Sequence, residues 1–272
     1  MIILFLLALG LALGSFTNAL YWRTRKVLTA KKPKDKKAYS ILTGRSKCFH
    51  CGYELKPKDL VPIVSFVLLR GRCRHCRNKI DDTPLLELMM PLLLVVSYLL
   101  WPYDLHQAEG IFRFAIWAVA LVPLLAMLVY DFKWMELPNR LNYSFLGLAA
   151  VQAAGLIIIN GWNGRFALSA LLGIAVGGGL FELIYQLSKG KYIGGGDVRL
   201  GYGFGLLLAD PLKAWMVISL ASLLGTVWAV VLVFRGNYGF KSKLSFGPFL
   251  IIALIVVVLY GDRLWRLLYG GV

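Results

Sequence analysis

Acidic residues are scarce in this chain. Only 14 Asp and Glu stand against 30 Lys and Arg, and charged residues of both signs occupy 16% of its 272 positions. Hydrophobic residues fill 58%, which excludes an ordinary soluble domain, where about a quarter of positions are charged. Histidine is equally sparse, at three. His50 and His75 sit inside cysteine pairs and His106 falls in a loop between apolar runs. There is therefore no H-E-x-x-H zinc-protease motif, and no histidine within the apolar part to serve a serine nucleophile. No G-x-G-x-x-G follows a predicted strand, so an ordinary nucleotide-binding domain is absent. No fixed-period repeat is evident. The formal charge of +16 comes without a helix-turn-helix or an aromatic-interleaved basic pattern, so nucleic acid is not an expected partner.

What the chain has in quantity is long apolar runs. Ile2 to Leu20, Leu85 to Trp101, Phe112 to Tyr130, Leu141 to Ile159, Phe166 to Leu187, Ala214 to Phe234 and Phe246 to Tyr260 each approach or exceed the ~18 residues that read as a membrane helix. Leu200 to Ala209 is too short to span upright and reads as a half-helix or a tilted one. The expected fold is an all-α polytopic membrane protein with six to eight membrane helices. Between Tyr21 and Pro84 lie 17 Lys and Arg against 5 Asp and Glu. Lys and Arg gather on the cytoplasmic side of membranes, which places this loop in the cytosol, in contact with anionic lipid, and the N-terminus outside. Alternate threading then brings Lys133 and Arg140, then Lys189, Lys191 and Arg199, then Arg235, Lys241 and Lys243 to the same side. The first run has no basic residues ahead of it and its charges follow it, so it reads as an uncleaved anchor. The expected division is 1–21 first helix, 22–84 cytosolic domain and 85–272 membrane domain.

All four cysteines lie in that loop, as Cys48-Phe-His-Cys51 and Cys73-Arg-His-Cys76 with 21 residues between the pairs. Two residues between cysteines let one tight turn aim both thiolates at one ion, and two such turns complete a closed tetrahedral zinc site. Disulfides are the alternative, but a cytosolic loop is reducing. A loop of this size with few apolar residues makes a poor core, and metal would supply the missing folding energy. His50 and His75 are read as lying outside the ligand set. Arg23 to Lys47, rich in Lys and carrying Pro33 and Gly44, reads as a linker. Leu60 to Leu69 reads as either a strand or a helical turn, which periodicity cannot decide.

Two aspartates carry the functional information. Asp131 closes the run from Phe112, and Asp197 follows Gly194-Gly195-Gly196 and opens the next run. A carboxylate at membrane depth costs at least ~2.5 kcal/mol and is a functional hypothesis by default. Two that meet would form a dyad sharing one proton, able to activate water and protonate a carbonyl. The three glycines permit positive φ and close approach of a substrate backbone. Gly173-Ile-Ala-Val-Gly177 is read as close helix packing. A transporter would also bury carboxylates beside Gly-rich helices, but it predicts inverted repeats and charges nearer the bilayer centre, and neither is visible. A zinc-bearing scaffold leaves both aspartates unexplained.

Six ordered motifs resemble the type IV prepilin peptidases, membrane aspartic proteases of the GxGD type. They are Leu13-Gly14-Ser15-Phe16-Thr17-Asn18; the cysteine tetrad with Leu68-Leu69-Arg70-Gly71-Arg72-Cys73; Pro84-Leu85-Leu86-Glu87-Leu88; Asp131 followed by Leu137-Pro138-Asn139-Arg140-Leu141-Asn142; Gly194-Gly195-Gly196-Asp197-Val198-Arg199-Leu200; and Phe246-Gly247-Pro248-Phe249. Arg199 stands where Lys is frequent, and the chain departs from the usual pattern at Leu60, Asp82 and Thr83. The resemblance implies a catalytic dyad of Asp131 and Asp197. It implies prepilin or pseudopilin substrates cleaved after a glycine at the cytosolic face of a bacterial inner membrane, in pilus assembly, type II secretion or DNA uptake. For tetracysteine members it further implies N-methylation of the new amino terminus with S-adenosylmethionine. That cofactor would be held by an unfamiliar constellation including Glu87.

Overall fold

The computed structural model describes residues 1–32, 39–40, 44–48, 50–80, 84–235 and 244–269, the last three by backbone only. Pro33, Phe49, Asp82, Thr83, Lys241 and Lys243 lie outside them. Among the described residues the structure is all-α, with two isolated β-bridges and no strand. The chain divides into two units, Met1–Leu99 and Leu100–Val272.

The first unit holds α1 (Ile2–Thr29), a 3₁₀ turn (Pro57–Asp59), α2 (Val64–Leu68) and α3 (Leu85–Leu99). Helix α1 buries Leu6, Gly10, Gly14, Thr17, Tyr21, Thr24 and Val27, spaced by three and four so that one stripe faces inward. Its two glycines let α3 approach closely. A methyl group at Gly14 would meet Leu86 O at 2.6 Å, and one at Gly10 would meet the Pro91 ring at 2.7 Å. The two helices therefore run antiparallel, with Gly14 level with Leu86 and Glu87. The helix continues through Thr29, where sequence alone reads a linker from Arg23. Arg and Lys are good helix formers, and Tyr21, Thr24 and Val27 prolong the buried stripe. Between the cysteine pairs the strand-or-helix ambiguity resolves as the short helix α2.

The second unit holds α4 (Ala108–Trp134), α5 (Asn139–Asn160), α6 (Gly164–Ile174), a π-helical turn (Ala175–Gly179), α7 (Leu180–Ser188), α8 (Gly195–Leu208), α9 (Pro211–Phe234) and α10 (Gly247–Tyr269). Among the described residues six helices are long and apolar enough to cross a membrane: α1, α4, α5, the continuous Gly164–Ser188 rod, α9 and α10. Helix α3, at 15 residues, and α8, at 14, are shorter. At 1.5 Å per residue α8 reaches only about 21 Å of the ~30 Å hydrocarbon core. Helix α4 is the core: Leu121, Leu124, Leu125, Ala126, Met127 and Tyr130 are fully enclosed. It packs against α5 and α10, while α8 packs between α5 and the Gly164–Ser188 rod.

Glycines make that position for α8 possible. A methyl group at Gly173 would lie 2.7 Å from Gly205 O, and one at Gly177 would lie 2.6 Å from Gly201 O. The Gly173–Gly177 pair thus faces a second pair of the same spacing, Gly201 and Gly205, in antiparallel register. On the opposite face of α8, Gly203 receives the Phe145 ring. Small residues on both faces let two neighbours approach one short helix. Gly205→Ala should therefore lower the thermal midpoint of the detergent-purified protein, by the 1–3 kcal/mol typical of overpacking. Gly147→Ala, where an added methyl meets nothing within 4 Å, should not.

Candidate active site and metal centre

Asp131 sits in the last turn of α4, 4% exposed. The helix stops one turn later, where Met135 adopts left-handed backbone and its N–H bonds Asp131 O at 2.9 Å. The Ser245 hydroxyl donates to Asp131 Oδ2, and the Gly247 backbone N–H donates to the same carboxylate. Gly247 opens α10, so the end of α4 and the start of α10 meet at this carboxylate. A side chain at Gly247 would strike Asp131 Oδ2 and Leu137. Here glycine is required for space.

Asp197 lies in the first turn of α8. Its carboxylate receives the Gly194 backbone N–H, it is near enough to Asp131 for the two charges to interact, and its Oδ1 is buried without a hydrogen-bond partner. Leu137 fills the space between the two arms. A methyl group at Gly196 would lie 2.6 Å from Leu137 Cβ, and one at Gly247 would lie 3.0 Å from Leu137 Cδ1. Four segments therefore converge at one end of this unit: the end of α4, the Leu137–Pro138 entrance to α5, the start of α8 and the start of α10. Arg199 Nη1 bonds Gly195 O at 2.8 Å and its guanidinium lies 5.9 Å from the Tyr143 ring centre, linking the first turn of α8 to α5.

The role of the three glycines differs from the conformational part of the expectation. None of Gly194, Gly195 and Gly196 has positive φ. What they supply is room: Gly196 against Leu137, and Gly194 against Asp197 Oδ2, which an added methyl would approach to 3.3 Å. Ser245 and Leu137 were not singled out as site residues from sequence. Ser245 immediately precedes Phe246-Gly247-Pro248, and that adjacency is the one signal that could have found it.

In the first unit the four cysteine sulfurs all lie within 4.8 Å of one another, and Cys48 and Cys76 are 3.8 Å apart. A tetrahedron with metal–sulfur bonds of about 2.3 Å has sulfurs about 3.8 Å apart, so the set fits one ion. The two pairs are built alike. Cys48 N–H bonds Tyr53 O and Gly52 N–H bonds Cys48 O; Cys73 N–H bonds Asn78 O and Arg77 N–H bonds Cys73 O. Each turn closes on one bridge, Lys47 with Glu54 and Arg72 with Lys79. Gly52 and Arg77 occupy the same left-handed position, at φ 69° and 58°. The Asn78 backbone hydrogen bond lowers the Cys76 thiol, but desolvation and the crowding sulfurs of Cys51, Cys73 and Cys48 push it up to about 11. A divalent cation would reverse that preference and hold thiolates together. His75 stacks on Tyr53 at 5.2 Å, outside the ligand set. Arg74 bonds the buried Asp59 at 2.7 Å, tying the 3₁₀ turn to the second cysteine pair. Burial opposes ionisation of Asp59, but its bonds from Arg74 and the Lys56 backbone outweigh that and hold the carboxyl below its usual range.

Beside the cysteine centre lies a cleft of about 220 Å³ lined by Asn18, Trp22, Arg23, Asp59, Phe66 and Glu87 among others. Asn18 Oδ1 is buried without a partner. Glu87 accepts the Ile63 backbone N–H at 2.6 Å.

Comparison with known proteins bears on both units. The Bacterial Peptidase A24 N-terminal domain matches residues 8–101, and the Type IV leader peptidase family matches residues 118–230. The prepilin leader peptidase/N-methyltransferase of Pseudomonas aeruginosa is 30% identical over 286 residues, covering 95% of this chain and 90% of that protein. This chain belongs to the type IV leader peptidase family. The Bacillus subtilis protein of the same name is 29% identical, covering 83% of this chain and 85% of its own length. An Escherichia coli type 4 prepilin-like proteins leader peptide-processing enzyme is 28% identical, covering 92% and 90%. No solved structure matches the chain. Metal analysis of the purified protein should find one zinc per chain, and Cys73→Ser should lose it together with stability of the first unit. A metal-free wild type would refute the centre.

Proposed function

We propose that this chain removes the basic leader of a type IV prepilin or pseudopilin through the Asp131 and Asp197 pair and then methylates the new amino terminus. The observation that carries the peptidase reading is the meeting of a buried carboxylate, Asp131, and a half-buried one, Asp197, at converging helix ends, the latter with a buried oxygen left without a partner. Buried polar atoms are nearly always satisfied, so Asp197 Oδ1 suits a catalytic water or a substrate atom. Ser245 and Gly247 aim two donors at Asp131 and fix its carboxylate in position for the role of base. Asp131 then takes a proton from the attacking water while Asp197 gives its proton to the peptide carbonyl oxygen. Collapse of the tetrahedral gem-diol breaks the C–N bond; the amine leaves with the proton Asp131 had taken, and one hydroxyl of the gem-diol returns a proton to Asp197 as the carbonyl re-forms. Gly194 to Gly196 leave the space a substrate backbone needs beside this pair.

Proteolysis is assigned to residues 85–272 and methyl transfer to the tetracysteine part, residues 22–84, with zinc as its structural metal. The charge pattern supports an inner-membrane protein with the N-terminus outside and the zinc domain and dyad on the cytosolic side. S-adenosylmethionine fits the cleft beside the cysteine centre. The orphaned Asn18 oxygen can accept from an amino or hydroxyl group, Trp22 and Phe66 offer faces to a base, and Glu87, Asp59 and Arg23 supply charge for a zwitterion. When bound, this donor supplies an electrophilic methyl group for transfer to an amine.

Asp131→Asn and Asp197→Asn should each abolish cleavage of a model prepilin in liposomes while the protein stays folded and membrane-inserted. Residual cleavage near wild-type rates in either would sink the dyad. Ser245→Ala should lower kcat about ten- to hundredfold, the worth of a hydrogen bond to a charged group, with KM little changed. Calorimetric titration with S-adenosylhomocysteine should show binding to wild type and at least about tenfold weaker binding to Asn18→Leu. Equal affinity would remove Asn18 from the site.

A further inference from the structure

The segment between the two cysteine pairs is more apolar on its outside than a water-exposed loop should be. Val61 is 44% exposed, Val64 53%, Val67 63% and Leu68 76%. A contiguous patch of this kind marks an interaction surface. Basic residues bracket it, Lys56 and Lys58 on one side and Arg70 and Arg72 on the other.

Its depth can be read from α1. The Ile63 backbone N–H is bonded to Glu87 in the first turn of α3, and Glu87 lies level with Gly14 of α1. The first charged side chain of the chain, Arg23, comes nine residues after Gly14. At 1.5 Å per residue that is about 13 Å further along the helix, nearly half the ~30 Å hydrocarbon core. Leu60 and Pro62 also line a groove with Ala8, Ala12 and Phe16, residues deep in the apolar half of α1. Hence the segment does not stand off in the aqueous loop region; it reaches back alongside the apolar stretch of the first helix. Ile63 has positive φ, 59° with ψ −51°, a conformation a β-branched residue keeps only where its surroundings over-determine it. The Glu87 bond is one such constraint, and it turns the segment back toward α3.

We propose that Leu60 to Leu69 is a lipid anchor: Val61, Val64, Val67 and Leu68 enter the acyl-chain region while the flanking Lys and Arg reach up to the headgroups. The anchor holds the tetracysteine fold against the bilayer surface, independently of either chemical reaction. The occupant is phospholipid, because the patch is continuous in depth with the apolar face of α1 and is bracketed by charge opposite to that of anionic headgroups.

The test places photoreactive benzoylphenylalanine at Val64, Val67 or Leu68 of the full chain in native membranes, with Glu54, on the first cysteine turn, as the reference position. After irradiation the purified protein is weighed by mass spectrometry. Phospholipid adducts at 64, 67 and 68 and none at 54 are expected. Crosslinks to polypeptide, from a substrate helix or another chain, would overturn the proposal, as would no adduct at all or lipid labelling equal to that at Glu54. All three positions are exposed, so the substitutions leave the core untouched and no outcome turns on misfolding.

Discussion

The second unit is organised around the need to keep a carboxylate, Asp131, buried at the end of an apolar helix. An unpaired buried carboxylate is costly, and the chain answers with two donors from a segment more than a hundred residues away, Ser245 and the Gly247 backbone. That contact joins the end of α4 to the start of α10. Leu137, packed against Gly247 and Gly196, extends the junction to α5 and α8, and α8 carries Asp197. The site is therefore a junction of four helix ends, and its geometry depends on each of them keeping its register.

Glycine is what allows such a junction. The facing pairs Gly173 and Gly177 on one helix and Gly201 and Gly205 on the other bring backbones together, and Gly203 does the same for Phe145. The result is that a 14-residue helix, too short to span a membrane by itself, is gripped from two sides and its N-terminal carboxylate is held still. Packing of this kind fixes where the Asp197 carboxylate sits relative to Asp131. The first unit uses the same device more sparingly, at Gly10 and Gly14 of a helix pair that buries Tyr21, Leu86, Met90 and Leu94, and adds a metal-sized tetrad of sulfurs in the loop between those helices.

Much was legible in the sequence because its signals are local. Apolar run length identified the spanning helices, two residues between cysteines identified the paired turns, and a lone Asp at each of two run ends identified the carboxylates that the structure brings together. Conformational detail was less legible. The three glycines ahead of Asp197 read as candidates for positive φ, yet none of them has it, and Gly196 and Gly194 serve for space instead. The Lys-rich stretch from Arg23 to Lys47 read as linker, yet α1 runs to Thr29, because a buried stripe at helical spacing persisted beneath the surface charge.

The sequence by itself determined which segments must leave water, how many sulfurs could share an ion, and which acids could not be ordinary surface residues, since each follows from composition or spacing over a few turns of chain. Tertiary structure alone decided that Ser245 serves Asp131, that Leu137 packs against both Gly196 and Gly247, that Asn18 and Glu87 line one cleft, and that Ile63 is turned back onto α3. These are contacts between residues far apart in the chain. Their partners are selected by packing and by the need to satisfy buried polar atoms, conditions that exist only once the helices have come together.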